Sequence, residues 1–241
     1  MKISIIVPCY NAEAFIEACL SSCIAQTYKN LEIVFVDNES TDKSLELAKP
    51  ICDKNGINVY TAPNKFKYSW EEPVLEALKH ISGDYFTIVG ADDILHPNYI
   101  QNVVNELISL NNPKCIQSGL FRFLPTGEVY QEIYKYANLD EFKNLLFKSC
   151  VVLTPTVFYS KSLYDEGHMS WNSEQYMGAS DYDLYFQFAN KRIFITPVQK
   201  FLGYYYRMHK DQSTWGMVQQ SLEGNSADHK IKEYWRSLWK I

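Results

Sequence analysis

The sequence predicts an α/β fold built on a parallel sheet, and two observations carry that expectation. Short apolar runs that suit strands buried on both faces alternate with segments whose apolar residues recur at helical spacing through the N-terminal half. The strand runs also end in acidic residues where loops must begin, at Asp37 and again at Asp92-Asp93.

Residues 3–7 form the first such run, closed by Pro8. Asn11 stands where a helix cap is expected, ahead of Phe15, Ile16, Cys19, Leu20, Cys23 and Ile24 at helical spacing. Residues 31–36 make a second strand ending at Asp37, and Asn38-Glu39-Ser40-Thr41 turns into a helix through Leu45, Leu47, Ala48 and Ile51. Residues 57–61 are a third strand and 70–81 a helix with Val74, Leu75 and Leu78 inward. Gly83-Asp84 precedes a fourth strand, 85–89, which runs into Gly90-Ala91-Asp92-Asp93. Two acids therefore lie beyond the carboxyl end of a central strand, where open α/β sheets gather their ligands. Pro97 suits the first turn of a helix through Ile100, Val103, Val104 and Leu107.

Beyond that helix the alternation weakens. Residues 116–124, 157–159 and 201–206 read as strands, with 181–189 a helix between the last two, so a mixed sheet is expected. Without repeats or a Pro/Gly/Ser linker, one domain over 1–228 is expected, with halves 1–110 and 111–228, followed by a tail of residues 229–241.

Composition narrows the function. The chain has 241 residues, 46% apolar and 21% charged, which suits one globular domain with a substantial core. A net charge of −5 argues against a dedicated nucleic-acid binder, so phosphate would come with a small ligand. Six cysteines lack a CxxC pair and read as free thiols of a reducing compartment. No apolar stretch approaches the ~20 residues that span a bilayer. A cytoplasmic location is expected, at most on the inner face of the cytoplasmic membrane. Neither GxxxxGK[ST] nor GxGxxG is present, which sets aside P-loop NTPases and classical dinucleotide-binding dehydrogenases.

Asp92 and Asp93 can hold a hard divalent cation through oxygen, or one can cap the next helix while the other faces solvent. Asp181 and Asp183 can sit in the dipole at a helix start, or one can remove a proton from an attacking hydroxyl. His209, after Tyr206-Arg207-Met208, can complete a metal site, and Arg207 or Lys210 can neutralise phosphate. The polar run 210–214 can equally be a surface loop. The two acidic clusters gain meaning if they line one cleft.

Taken in order, Ile5-Ile6-Val7-Pro8-Cys9-Tyr10-Asn11, Val36-Asp37-Asn38-Glu39-Ser40-Thr41-Asp42, Gly83-Asp84-Tyr85 with Ala91-Asp92-Asp93, and Asp181-Tyr182-Asp183-Leu184 resemble the family 2 glycosyltransferases. The resemblance implies the GT-A fold: a Rossmann-like nucleotide-binding mixed sheet flanked by helices, with a smaller acceptor-binding half. It implies Pro8 and Tyr10 packing the nucleobase and ribose, Asp37 and Asn38 at the base, and Asp92 near ribose and diphosphate. It further implies Asp93 as the direct ligand of Mn²⁺ or Mg²⁺, His209 reaching metal or diphosphate, and Asp181 as the general base of an inverting transfer. The partners implied are a nucleotide-sugar donor, with a UDP-sugar favoured, and a glycan or lipid-linked acceptor in bacterial surface polysaccharide synthesis. An amide at position 38 offers donor and acceptor side by side, which suits uracil.

Three departures stand out. Asn38-Glu39 replaces the usual Asp-Gly, Ser180 replaces the acid that commonly precedes the base, and Trp70-Glu71-Glu72-Pro73 replaces an Ala-Arg-Asn stretch. The alternative these leave is a nucleotide-sugar-binding or regulatory domain without activity. In the tail, Lys230, Lys232, Arg236 and Lys240 alternate with Ile231, Tyr234, Trp235, Leu238 and Trp239. On a helix this gives an aromatic face beside a basic one, suited either to a membrane surface or to the protein's own core.

Overall fold

The computed structural model of the chain describes residues 1–65, 70–198, 200–210, 212 and 226–240. Asp211, Ser213 and Thr214 of the polar run therefore lie outside the described residues. The strands in chain order are β1 (Ile3–Cys9), β2 (Leu31–Asp37), β3 (Asn58–Thr61), β4 (Tyr85–Ile88), β5 (Ile94–Leu95), β6 (Cys115–Gln117), β7 (Leu120–Phe123), β8 (Val129–Glu132), β9 (Val157–Ser160), β10 (Ile195–Pro197) and β11 (Tyr204–Arg207). The helices are α1 (Ile16–Ile24), α2 (Ser44–Asn55), α3 (Glu71–Leu78), α4 (Tyr99–Ser109), α5 (Leu139–Leu146), α6 (Ser162–Asp165), α7 (Ser173–Tyr176), α8 (Ser180–Asn190) and α9 (Ala227–Trp239), with short 3-10 turns at Thr154–Thr156 and Met177–Ala179.

Among the described residues, seven strands form one sheet in the order β10-β6-β9-β4-β1-β2-β3. β1 pairs in parallel with both β2 and β4, while β9 runs antiparallel between β4 and β6. Ile3, Ile5, Ile6 and Val7 are fully buried because helices cover both faces, and a nearly continuous apolar run is what such a strand requires; the buried Ser4 within it donates to Glu32 Oε1 at 2.6 Å. α1, α2 and α4 pack on one face through Ile16, Cys19, Ala48 and Val103. α3, α5, α8 and α9 pack on the other through Val74, Phe142, Phe186 and Trp235.

A smaller sheet, in the order β5-β11-β7-β8, lies beyond the parallel half. The expected strand over 116–124 is in fact two strands in different sheets, divided at Ser118-Gly119. A Cβ on Gly119 would stand 2.7 Å from the carbonyl oxygen of Glu132, so only glycine lets the chain cross there.

Three local expectations change. Asn11 does not cap α1, whose N-cap is Phe15. Its Oδ1 accepts instead from the backbone N–H of Thr41 at 2.8 Å, and its own N–H donates to Ser40 Oγ at 3.1 Å, tying the loop after β1 to the loop after β2. Pro97 lies just before α4, whose N-cap is Asn98. The tail helix starts at Ala227 and belongs to the main core: Ile231 is fully buried and Trp235 is 4% exposed. Trp235 stacks on Phe186 with ring centroids 5.8 Å apart, and its indole N–H donates to Asp183 Oδ1 at 2.7 Å. The aromatic face that suited a membrane is thus largely spent on the protein itself. Among the described residues no helix is long and apolar enough to cross a membrane.

Candidate active site

The loop after β4 places its two acids differently. A Cβ on Gly90 would lie 2.7 Å from Asp93 Oδ2 and 2.8 Å from Asp92 Oδ1, so both carboxylates fold back over a residue that must lack a side chain. Asp93 is 1% exposed. Its Oδ2 accepts from the Tyr204 hydroxyl at 2.6 Å and its Oδ1 from the backbone N–H of Arg207 at 2.8 Å. Burial, reinforced by the neighbouring Asp92, holds this carboxyl well above the usual carboxylate range, with the Tyr204 and Arg207 bonds pulling the other way. Asp92 is more open: its Oδ2 lies 2.9 Å from His209 Nε2 and 3.3 Å from Gln212 Nε2. The His209 ring rests against Phe15, with centroids 4.7 Å apart. Phe15 and Phe123 also lie under the Arg207 guanidinium, at 5.0 Å and 4.7 Å.

Asp93 was the acid expected to bind metal directly. In this geometry both its oxygens serve the fold, and Asp92 is the carboxylate presented beside an imidazole. No group of three or more His, Cys, Asp or Glu side chains gathers into a metal site among the described residues. One carboxylate and one imidazole nevertheless fit a divalent cation that keeps waters and completes its shell with substrate phosphates.

At the end of β2, Asp37 is 3% exposed. Its Oδ2 accepts from Ser40 N–H at 3.0 Å, while its buried Oδ1 has no hydrogen-bond partner among the described residues. Asn38 is also buried, and with its amide nitrogen facing acceptors it donates to Pro63 O at 3.1 Å and Ala62 O at 3.2 Å. The donor half of this amide therefore faces the chain, which revises the side-by-side donor and acceptor expected for a base. Glu39 holds a left-handed backbone at φ 57°, the conformation that suits the glycine it replaces, and its carboxylate accepts from Asn64 N–H at 3.1 Å. Tyr10 is 50% exposed.

At the start of α8 two of the three departures prove to be in contact: the Ser180 hydroxyl donates to Glu71 Oε1, and both residues are fully buried. A carboxylate is thus supplied from α3 rather than from the residue before Asp181. Asp181 is half-buried at the cavity wall, and the desolvation there pushes its carboxyl up to about 6. A hydrogen bond from Thr154 Oγ1 to Oδ2 and one from Tyr182 N–H to Oδ1 oppose that rise. Asp183 is committed elsewhere, accepting from Trp235 and from Gln187 Nε2 at 2.8 Å.

Asp92, Asp93 and Asp181 line one cavity of about 960 Å³, which runs from Pro8 past Trp70 and Tyr206 to the first turns of α9, whereas Asp183 lies outside it. Tyr10, Asp37, Asn38 and His209 stand outside its lining. Sequence reasoning missed Thr154, Tyr204 and Asp228, since their only signal is contact across the fold.

The description "Glycosyl transferase family 2" matches residues 4–167. GlyA of Streptococcus pneumoniae serotype 4 is 32% identical over 152 residues, 60% of this chain and 21% of GlyA. An uncharacterized glycosyltransferase of Rickettsia typhi is 28% identical over 98% of this chain and 70% of its own length. Among solved structures, S. aureus TarS 1-349 in complex with UDP-GlcNAc has a TM-score of 0.71 at 21% identity, covering 88% of this chain and 60% of that one. The mannosyltransferase PcManGT of Pyrobaculum calidifontis, in complex with GDP-Man and Mn²⁺, has a TM-score of 0.64 at 16% identity over 91% of this chain and 60% of that one. The chain thus spans about a fifth of GlyA and about three fifths of these solved chains. The solved structures share the GT-A fold, and with the family description covering well over half of its length, this chain belongs to the family 2 glycosyltransferases.

Proposed function

We propose that the protein transfers a sugar from a UDP-sugar to the hydroxyl of a glycan or lipid-linked acceptor, with inversion at the anomeric carbon. Surface polysaccharide synthesis is the setting this proposal assigns to the transfer. One observation carries the reading: a single cavity has an acid paired with an imidazole at one end and a half-buried acid poised to take a proton at the other.

Asp181 accepts the proton of the acceptor hydroxyl as its oxygen bonds to the anomeric carbon, and the bond from that carbon to the diphosphate breaks with its electron pair. Burial keeps Asp181 basic enough to take a proton while leaving it ionised at neutral pH. Asp92 and His209 would hold the Mn²⁺ or Mg²⁺, with Asp93 bracing the loop. A bound cation would supply Lewis-acid neutralisation of the departing diphosphate. The unpartnered Oδ1 of Asp37 suits a base that presents an imino N–H, such as uracil or guanine, whereas cytosine and adenine would reach it only through their exocyclic amino groups. Uracil is preferred here because the UDP-bound TarS neighbours have the higher TM-scores.

Calorimetric titration with UDP, GDP and CDP in Mn²⁺ tests the donor. UDP should bind tightest, with CDP weaker by roughly tenfold or more. Equal CDP binding removes Asp37 from base recognition, and tighter GDP binding overturns uracil. The same protein, given nucleotide sugars with and without acceptors, should release nucleoside diphosphate in an acceptor-dependent way. Donor binding without release from any pair would return the reading to an inactive binding domain.

A further inference from the structure

Behind the carboxylate of Asp181 runs a chain of three hydroxyls that the proposed reaction does not use. Thr154 Oγ1, on the 3-10 turn before β9, donates to Asp181 Oδ2. The hydroxyl of Tyr185, one helical turn along α8 from Asp181, donates to Thr154 Oγ1 at 2.9 Å. The hydroxyl of Tyr159, on β9, lies 3.2 Å from that of Tyr185. Both tyrosines are buried, at 0% and 1% exposure, so no solvent competes for the bond between them, while Thr154 and Asp181 line the cavity.

Their direction follows from chemistry. An ionised carboxylate only accepts, so Thr154 must give its single proton to Asp181. Its oxygen then accepts from Tyr185, whose own oxygen accepts from Tyr159. Each bond polarises the next, which strengthens the bond that reaches the carboxylate.

We infer that Thr154 is a positioning residue for the base: its hydroxyl, backed by Tyr185 and Tyr159, pins Oδ2 and directs Oδ1 to the acceptor proton. The inference rests on Asp181 being the base. The groups that face Asp181 are Cys150 ahead of the turn, Tyr159 on β9, Tyr185 on α8 and Asp228 in the first turn of α9. His229, Lys230 and Lys232 of α9 line the same cavity. Burial pushes Cys150, Tyr159 and Tyr185 up, which keeps them uncharged near neutral pH and leaves Asp228 as the negative charge that adds to the rise at Asp181. Thr154 acts in the opposite sense, favouring the ionised form.

The test is carbon-13 NMR of aspartate carboxyl carbons through a pH titration of the full chain, with the Asp181 signal assigned by its loss in Asp181→Asn. Thr154→Val should move the Asp181 midpoint upward by roughly one pH unit, about tenfold in ionised fraction below the midpoint. Thr154→Ser should titrate with the parent. Asp228→Asn should move the midpoint downward, and Tyr185→Phe, which keeps the ring in the core, should move it upward by less than Thr154→Val. Once a donor and acceptor are in hand, the acid limb of kcat/KM should shift in the same directions. If Thr154→Val folds but titrates with the parent, or if it fails to fold and Tyr185→Phe titrates with the parent, the inference is wrong. Parental transfer by Asp181→Asn would instead overturn the base assignment, while loss of transfer there with an unmoved Thr154→Val titration would sink the inference alone.

Discussion

Asp181→Asn should bind UDP in Mn²⁺ as the parent does and turn over roughly 10²- to 10⁴-fold more slowly. The amide keeps the shape of the side chain and its bond from Thr154, yet it cannot take a proton. The pH dependence should carry the same signature. Because the base works only when ionised, parental kcat/KM should fall as pH drops through about 6, the region to which burial raises this carboxyl. Near-parental turnover in Asp181→Asn would mean that another group removes the proton. Asp183 is a poor substitute, since its oxygens already accept from Trp235, Gln187 and Asn172.

The second large effect separates the two acids after β4. Asp92→Asn and His209→Ala should each weaken Mn²⁺-dependent UDP binding by roughly 10- to 100-fold or more, because each removes one of the two donors proposed to hold the cation. Asp93→Asn should act differently. It disturbs the bonds to Tyr204 and Arg207 that tie the loop between β4 and β5 to β11, so thermal stability should drop while metal-dependent binding in the folded fraction survives. Calorimetry beside thermal denaturation reads both. If Asp93→Asn abolishes metal-dependent binding and Asp92→Asn leaves it intact, the direct ligand is Asp93, as the family pattern implies.

The parallel half was legible because strands buried on both faces are near-continuously apolar, and residues 3–7, 31–36 and 85–89, each broken by a single polar residue, announce themselves that way. The second half was less so. Residues 116–124 look like one strand because local apolarity cannot report that the chain changes sheets at Gly119, where the carbonyl of Glu132 and the side chain of Leu202 crowd in. The tail's periodicity identified its apolar face but not what covers it, which Phe186 and Asp183 decide from α8. At the site, pattern brought out both acidic clusters and His209. It did not divide the work between Asp92 and Asp93, because that depends on which carboxylate Tyr204 and Arg207 grip from β11. Ser180 and Glu71 looked like separate departures, and only their contact across α3 and α8 shows one to be the other's partner.

The proposed reaction is a single displacement in which Asp181 deprotonates the acceptor. The stereochemistry of the product tests it most directly, through the proton NMR coupling of the new anomeric centre followed from the first turnover with a donor of known configuration. A product of opposite anomeric configuration to the donor is the predicted result. Retained configuration would require a second displacement or a same-face attack, and would contradict the role given to Asp181.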